Sequence, residues 1–276
     1  FTVSRDGTVI AMSTRHADHS IRVQVFQAND GREQMNVAVN QSPNHSDTLL
    51  ALNATGDQLA VSSYESTIQL WNTQEGTPIG ELAGHDSLVT ALAFQPNGQH
   101  IASGAANGEL RLWDITTRTC QRRLIGHDGH VHAIAFAPDG HQLVSGGADG
   151  TIRLWSTDQP AVLGQLPDIG QPTALTLNPT GSRLAVAAEN RLELWKTDAL
   201  TLVRRLPGIR GRPTMLAFSH DGHLLAAAVQ DAPAGSRTIA WDVTKGEPIL
   251  QAEHHHDIRN VTFSPAGDRL LTTDTQ

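Results

Sequence analysis

The sequence predicts an all-β fold, a seven-bladed β-propeller of four-stranded antiparallel blades whose last blade is incomplete. Two periodicities carry this reading. A turn glycine recurs at Gly7, Gly56, Gly98, Gly140, Gly181, Gly222 and Gly267, at steps of 41 to 49 residues. An aromatic residue that closes a short apolar run recurs as Phe26, Trp71, Trp113, Trp155, Trp195 and Trp241. The stretch 126–155 shows the unit most clearly: three apolar runs separated by turns at Pro138-Asp139-Gly140 and Ala148-Asp149-Gly150, with a fourth run at 161–166. Four strands in about 40–45 residues is the period of a propeller blade.

In chain order, residues 1–39 form a first blade that starts inside an inner strand and carries Phe26 where the others have Trp. The next blades span about 48–82, 89–124, 131–166, 173–206 and 214–251, the sixth with a longer second-to-third strand segment from Gln230 to Ser236. A partial seventh covers 258–276. The unbroken repeat predicts one domain over residues 1–276. The start inside a strand and the end inside a blade are read as those of a segment of a longer polypeptide.

The turn glycine fits a hairpin position of positive φ, which other residues adopt at a cost. Small residues such as Ala91, Ala93, Ala133 and Ala135 suit inner strands that crowd a narrow centre.

Trp113-Asp114 and Trp241-Asp242, with Trp71-Asn72 close behind, and the pairs Gly84-His85 and Gly126-His127 resemble the repeats of the Trp-Asp (WD) family. The resemblance covers nearly the whole chain. It implies a chain of hydrogen bonds in each complete repeat, from Asp to His to Ser to the Trp indole. The matching residues are His127, Ser145, Asp149 and Trp155 in the fourth blade. In the third they are His85, Ser103 and Trp113, with Asn107 in the place of the acid. Val61, Val186 and Ala227 replace the serine in the second, fifth and sixth blades, which are therefore expected to depend more on apolar packing. His254 and Thr272 keep the His-to-Ser spacing in the seventh.

Composition narrows the function. Net charge is −8 and aromatic residues are 4% of the chain, both unfavourable for nucleic-acid binding. A single cysteine, Cys120, excludes an internal disulfide framework and suits a reducing, intracellular (cytoplasmic) setting. No apolar run approaches the ~20 residues of a membrane span.

A Ser-His-Asp set invites a hydrolase reading, but a mid-strand serine whose periodic partner is a tryptophan has no oxyanion hole beside it. The run His254-His255-His256-Asp257 is read as a loop rather than a metal site, since zinc needs three or four convergent ligands. No catalytic residue, metal or cofactor is assigned.

Arginines at 118, 122 and 123, and at 204, 205, 210 and 212, flank outer strands and are read as solvated edge charges. Candidate partner-binding positions are His130 and His132, where the fourth blade's inner strand begins, and Gln230, Asp231 and Ser236 of the long sixth-blade segment. The function expected from the resemblance is a non-catalytic platform, for protein interaction or sensing, within a larger signalling, regulatory or scaffolding protein. Its partners are other proteins or other domains of the same polypeptide. The rival reading is a propeller enzyme, a hydrolase or lyase, with its site at the channel mouth.

Overall fold

The computed structural model describes all residues except 17–19, 40–47, 63–65, 160, 232–234, 265 and 275–276. Among these described residues every regular element is a strand. Blade 1 holds β1–β4 (Thr2–Val3, Val9–Arg15, Ile21–Gln27, Glu33–Val39) and blade 2 holds β5–β8 (Leu49–Leu52, Gln58–Ser62, Ile68–Asn72, Thr77–Leu82). Blade 3 holds β9–β12 (Val89–Phe94, His100–Ala105, Leu110–Asp114, Thr119–Leu124) and blade 4 holds β13–β16 (Val131–Phe136, Gln142–Gly147, Ile152–Ser156, Val162–Leu166). Blade 5 holds β17–β20 (Pro172–Leu177, Arg183–Ala188, Arg191–Lys196, Thr201–Arg205). Blade 6 holds β21–β24 (Arg212–Phe218, Leu224–Gln230, Ser236–Asp242, Glu247–His254), and β25–β26 (Ile258–Phe263, Leu270–Asp274) form a two-stranded seventh. All six full sheets are antiparallel meanders whose strand order follows the chain.

Two local rules shape every blade. The first hairpin turns on its glycine, and at all seven turns φ lies between 72° and 78°. The second rule was not read from the sequence. In all six full blades the ladder between third and fourth strands slips by one residue at the aromatic position, Phe26 or its Trp equivalent. Such a bulge increases local twist.

The Asp of the Trp-Asp pair also has a structural task. Asp114 Oδ1 accepts from the Thr117 N–H (2.8 Å). Asp242 Oδ1 accepts from Thr244 and Lys245, each at 2.9 Å. Asn72 does the same for Gln74 and Glu75, so the residue after the tryptophan starts the turn into the outer strand.

The chain divides into two compact units, Phe1–Val131 and His132–Gln276. In the first unit, apolar faces of blades 1 and 2 meet through Val23, Val25, Met35, Leu59 and Val61, and those of blades 2 and 3 through Ile68, Leu70, Ile101 and Trp113. In the second, Val144, Leu154, Leu184 and Val186 join blades 4 and 5, while Leu192, Leu194, Leu225 and Trp241 join blades 5 and 6. Ala226, Ala240, Ile258 and Val261 pack blade 6 against the two-stranded sheet. Both faces of each inner sheet are therefore apolar, which blurs the alternation expected of a half-exposed strand.

Threonines stitch neighbouring inner strands within each unit. Thr90 Oγ1 donates to the Val131 carbonyl at 2.7 Å, and Thr173 Oγ1 donates to the Pro213 carbonyl.

Candidate functional site

Blade 3 contains the most developed polar cluster. The Trp113 indole N–H donates to Ser103 Oγ at 2.8 Å, and His85 Nε2 lies 2.6 Å from the same oxygen. An ionised carboxylate beside Nδ1 favours the tautomer with its N–H on that nitrogen, which leaves Nε2 to accept from the serine hydroxyl. The carboxylate is that of Glu109, whose Oε2 is 3.3 Å from Nδ1. Glu109 is thus the acid of this blade. Asn107, read from the sequence as the acid's replacement, instead accepts the Glu109 backbone N–H at 3.2 Å and shapes the turn.

Glu109 is held by two arginines: Arg111 Nε is 3.1 Å from Oε2, and Arg123 Nε donates to Oε1. Arg111 and Arg123 are directly opposite across β11 and β12, a like-charge pair whose repulsion the Glu109 carboxylate offsets in part. The Arg111 guanidinium also lies 5.6 Å from the Trp113 ring centre, within cation–π range. Gly84 of the Gly-His pair has φ 145°, and a β-carbon there would run into this guanidinium.

Burial sets the charge states. Burial, and next to it the positive Arg111, pulls the His85 pKa down to about 4. Burial pushes the Glu109 carboxyl up, but the contacts with Arg111 and Arg123 outweigh it and hold the group below the usual range. A neutral His85 therefore faces an ionised Glu109. The Ser-His-acid chain is closed to substrate, because Ser103 has no exposed surface and Trp113 is 1% exposed.

In blade 4 the Trp155 indole donates to Ser145 Oγ at 2.7 Å. Asp149 Oδ1 accepts from the Thr151 N–H and hydroxyl (3.1 and 2.9 Å), and Arg153 is 3.7 Å from Oδ2. His127 is buried near the end of the first unit.

The blades without the serine solve the indole differently. In blade 5 Trp195 donates to Glu193 Oε2 at 3.2 Å, and Arg205 Nε donates to Oε1 at 2.9 Å. In blade 6 Trp241 donates to the Pro207 carbonyl at 2.9 Å. In blade 2 the Trp71 indole nitrogen is buried with no partner among the described residues. Blades 5 and 6 thus give the indole an acceptor without the serine.

Several other sequence expectations change. Arg123 and Arg205 are not simply solvated edge charges, because each clamps a buried glutamate. Arg118 donates to the Ile79 carbonyl at 2.8 Å. His254 belongs to the outer strand β24, where its Nε2 is 3.0 Å from Thr238 Oγ1 rather than bonded to Thr272. Ser236 is 2% exposed and lies in β23 opposite Gln230, so it cannot meet a partner directly. Its hydroxyl donates to Asp257 (3.3 Å) and accepts the Ile258 N–H (3.3 Å).

The sixth-blade excursion is thereby shortened to 231–235. Residues 232–234, including Pro233, lie outside the described residues. Asp231 is fixed by Arg237 at 2.8 Å. His130 and His132 are both exposed, in the turn before β13 and on β13 itself. Among the described residues no group of three or more His, Cys, Asp or Glu has metal-holding geometry.

Known proteins repeat the same pattern. The family model described as WD domain, G-beta repeat matches residues 76–114 and 118–156. A 98-residue stretch is 32% identical to the intraflagellar transport protein 122 homolog of Danio rerio, covering 36% of this chain and 8% of that protein. The homologs of the same name from Xenopus tropicalis and Mus musculus are 30% and 31% identical over 98 residues. The chain matches only about a twelfth of the length of these relatives. Residues 76–114 and 118–156 are thus WD repeats, and the four-stranded meander, turn glycine and closing tryptophan recur in blades outside the matched stretch.

Proposed function

We propose that this chain is a non-catalytic protein-interaction platform, one module of a larger scaffolding or regulatory assembly working inside the cell. The carrying observation is where the chemistry sits. The polar groups that could form a hydrolytic set are all buried: Ser103 is bonded to His85 and Trp113, and Glu109 is paired with His85, Arg111 and Arg123. They fix a blade and reach no substrate. Similarity to proteins named for intraflagellar transport supports a role in assembly over one in chemistry. The reading also takes residues 1–276 as one working domain, with other proteins or neighbouring domains as partners.

Exposed His130 and His132, with Gln230 and Asp231 beside the sixth-blade excursion, are the proposed contact positions. The test compares capture of cellular partners by the intact chain with capture by two variants, His130→Ala/His132→Ala and Asp231→Ala. The expected result is loss of specific proteins from the capture at unchanged Tm. Identical capture by all three chains would overturn the contact positions, and turnover of generic ester or peptide substrates would overturn the non-catalytic reading.

A further inference from the structure

The repeat supplies its own controls, and against them blade 5 departs at one place. Residues at the start of the second strand and the end of the third are direct cross-strand partners. In blades 1, 2, 3, 4 and 6 these are Val9 and Gln27, Gln58 and Asn72, His100 and Asp114, Gln142 and Ser156, and Leu224 and Asp242. In blade 5 they are Arg183 and Lys196. Two cations set directly opposite destabilise a ladder, so such a pair calls for an anion. Lys196 also stands where blades 2, 3 and 6 carry the turn-forming Asn72, Asp114 and Asp242.

A second departure lies beside it. The residue two positions after the tryptophan is a buried threonine in blades 2, 4 and 5. Thr73 Oγ1 donates to the Gly56 carbonyl at 2.6 Å, and Thr157 Oγ1 donates to the Gly140 carbonyl at 2.8 Å. Thr197 keeps the matching backbone bond, its N–H to the Ser182 carbonyl at 3.2 Å. Its hydroxyl, however, has no partner among the described residues, although the residue is only 3% exposed. A buried hydroxyl left without a bond is destabilising.

Arg183, Lys196 and Thr197 line one cavity of about 350 Å³, together with Thr180 and Ser182, whose hydroxyls bond each other at 2.8 Å. The cavity also has one carboxylate, Asp198, whose Oδ1 accepts the neighbouring Ala199 N–H at 2.7 Å. The hairpin turn here, Thr180-Gly181-Ser182, has no acid, unlike those of blades 1, 2, 4 and 6.

We propose that this cavity in blade 5 binds a phosphate-type oxyanion, with Arg183 and Lys196 supplying charge and Thr197 a hydroxyl donor. A bound anion would neutralise the cation pair and give the orphaned hydroxyl its acceptor. Charge-assisted hydrogen bonds of this kind are the strong ones. The site is independent of the platform reading and of its contact positions.

The experiment titrates inorganic phosphate into the intact chain at constant ionic strength, against chloride, and follows amide NMR shifts. Saturable shifts confined to residues 180–183 and 196–198 are expected. Lys196→Gln and Arg183→Gln should each weaken binding about 10-fold, and the double variant should lose it, as removal of charged hydrogen bonds implies. Thr197→Val should weaken it several-fold.

If Arg183→Gln fails to fold, Lys196→Gln, at an exposed position, carries the test alone. O-phosphoserine binding more tightly than free phosphate assigns the site to a phosphorylated side chain, and equal affinities assign it to the free ion. Shifts linear in phosphate with no saturation, or unchanged affinity in Lys196→Gln, would overturn the proposal.

Discussion

Blades 3 and 5 share strand order, hairpin glycine, bulge position and tryptophan, yet their polar interiors are built in opposite ways. In blade 3 the glutamate stands four residues before the tryptophan and an arginine two before it. In blade 5 these are exchanged, Arg191 and Glu193. The exchange moves the acid onto the cross-strand partner of Arg205, where it can also accept from Trp195. No histidine or serine is then needed. Blades 3 and 5 alike give the indole N–H an acceptor and their arginines a counter-charge, and they do so with different side chains.

The comparison makes its largest prediction for the two acids. Glu109→Ala leaves Arg111 buried without a counter-charge and should cost ~3–5 kcal/mol. Glu193→Ala should cost only about 1–2 kcal/mol, because its partners Arg191 and Arg205 are 34% and 64% exposed and can rehydrate. Chemical denaturation of both variants checks this. Equal losses would mean that burial of the partner arginine is not what separates the blades.

Titration gives the next difference. The folded-state pKa of His85, about 4, lies below its ordinary 6.5. Between those values the unfolded chain binds the extra proton, so stability is fully present above pH 6.5 and falls as pH drops towards 4. The loss reaches on the order of 3 kcal/mol. His85→Gln should flatten this dependence, measured as Tm against pH. A slope that survives His85→Gln would place the responsible proton elsewhere.

How much of this was legible follows from which interactions are local in sequence. The hairpin glycines and tryptophans recur because each blade needs them at one φ and one packing position, and a single chain displays seven and five copies. The links of Ser103 and Ser145 to their tryptophans sit at a fixed spacing within one sheet. Glu109 was missed because its role depends on Arg123, whose approach is set by the bulge at Leu112/Trp113. The pairing of Arg183 with Lys196 was equally hidden until register was known. Ser236 looked like loop because Pro233 and Gly235 precede it, yet β23 starts with it.

Blade 4 offers a smaller test between the two extremes. His127→Ala should cost ~1–3 kcal/mol, since it removes a buried polar residue from the Gly-His pair. His255→Ala, at an exposed position, should cost much less. Equal melting shifts would show that blade 4 does not use its histidine as blade 3 uses His85.

The smallest expected effect concerns blade 2, where the Trp71 indole lacks an acceptor among the described residues. Val61 occupies the place of Ser103 and is 1% exposed. Val61→Ser removes apolar volume worth roughly 1–2 kcal/mol, and it also offers the indole a hydrogen bond that ends a penalty of about 1–3 kcal/mol. The two should nearly cancel, leaving stability within about 1 kcal/mol of the parent. Val186→Ser in blade 5 has the same apolar loss and no compensation, because Trp195 already has Glu193. The difference between these serine variants, measured by denaturation, isolates the worth of the indole's acceptor. If Val61→Ser is as damaging as Val186→Ser, the unpaired indole of blade 2 carries no penalty, and the acceptor is not what the serine of blades 3 and 4 is for.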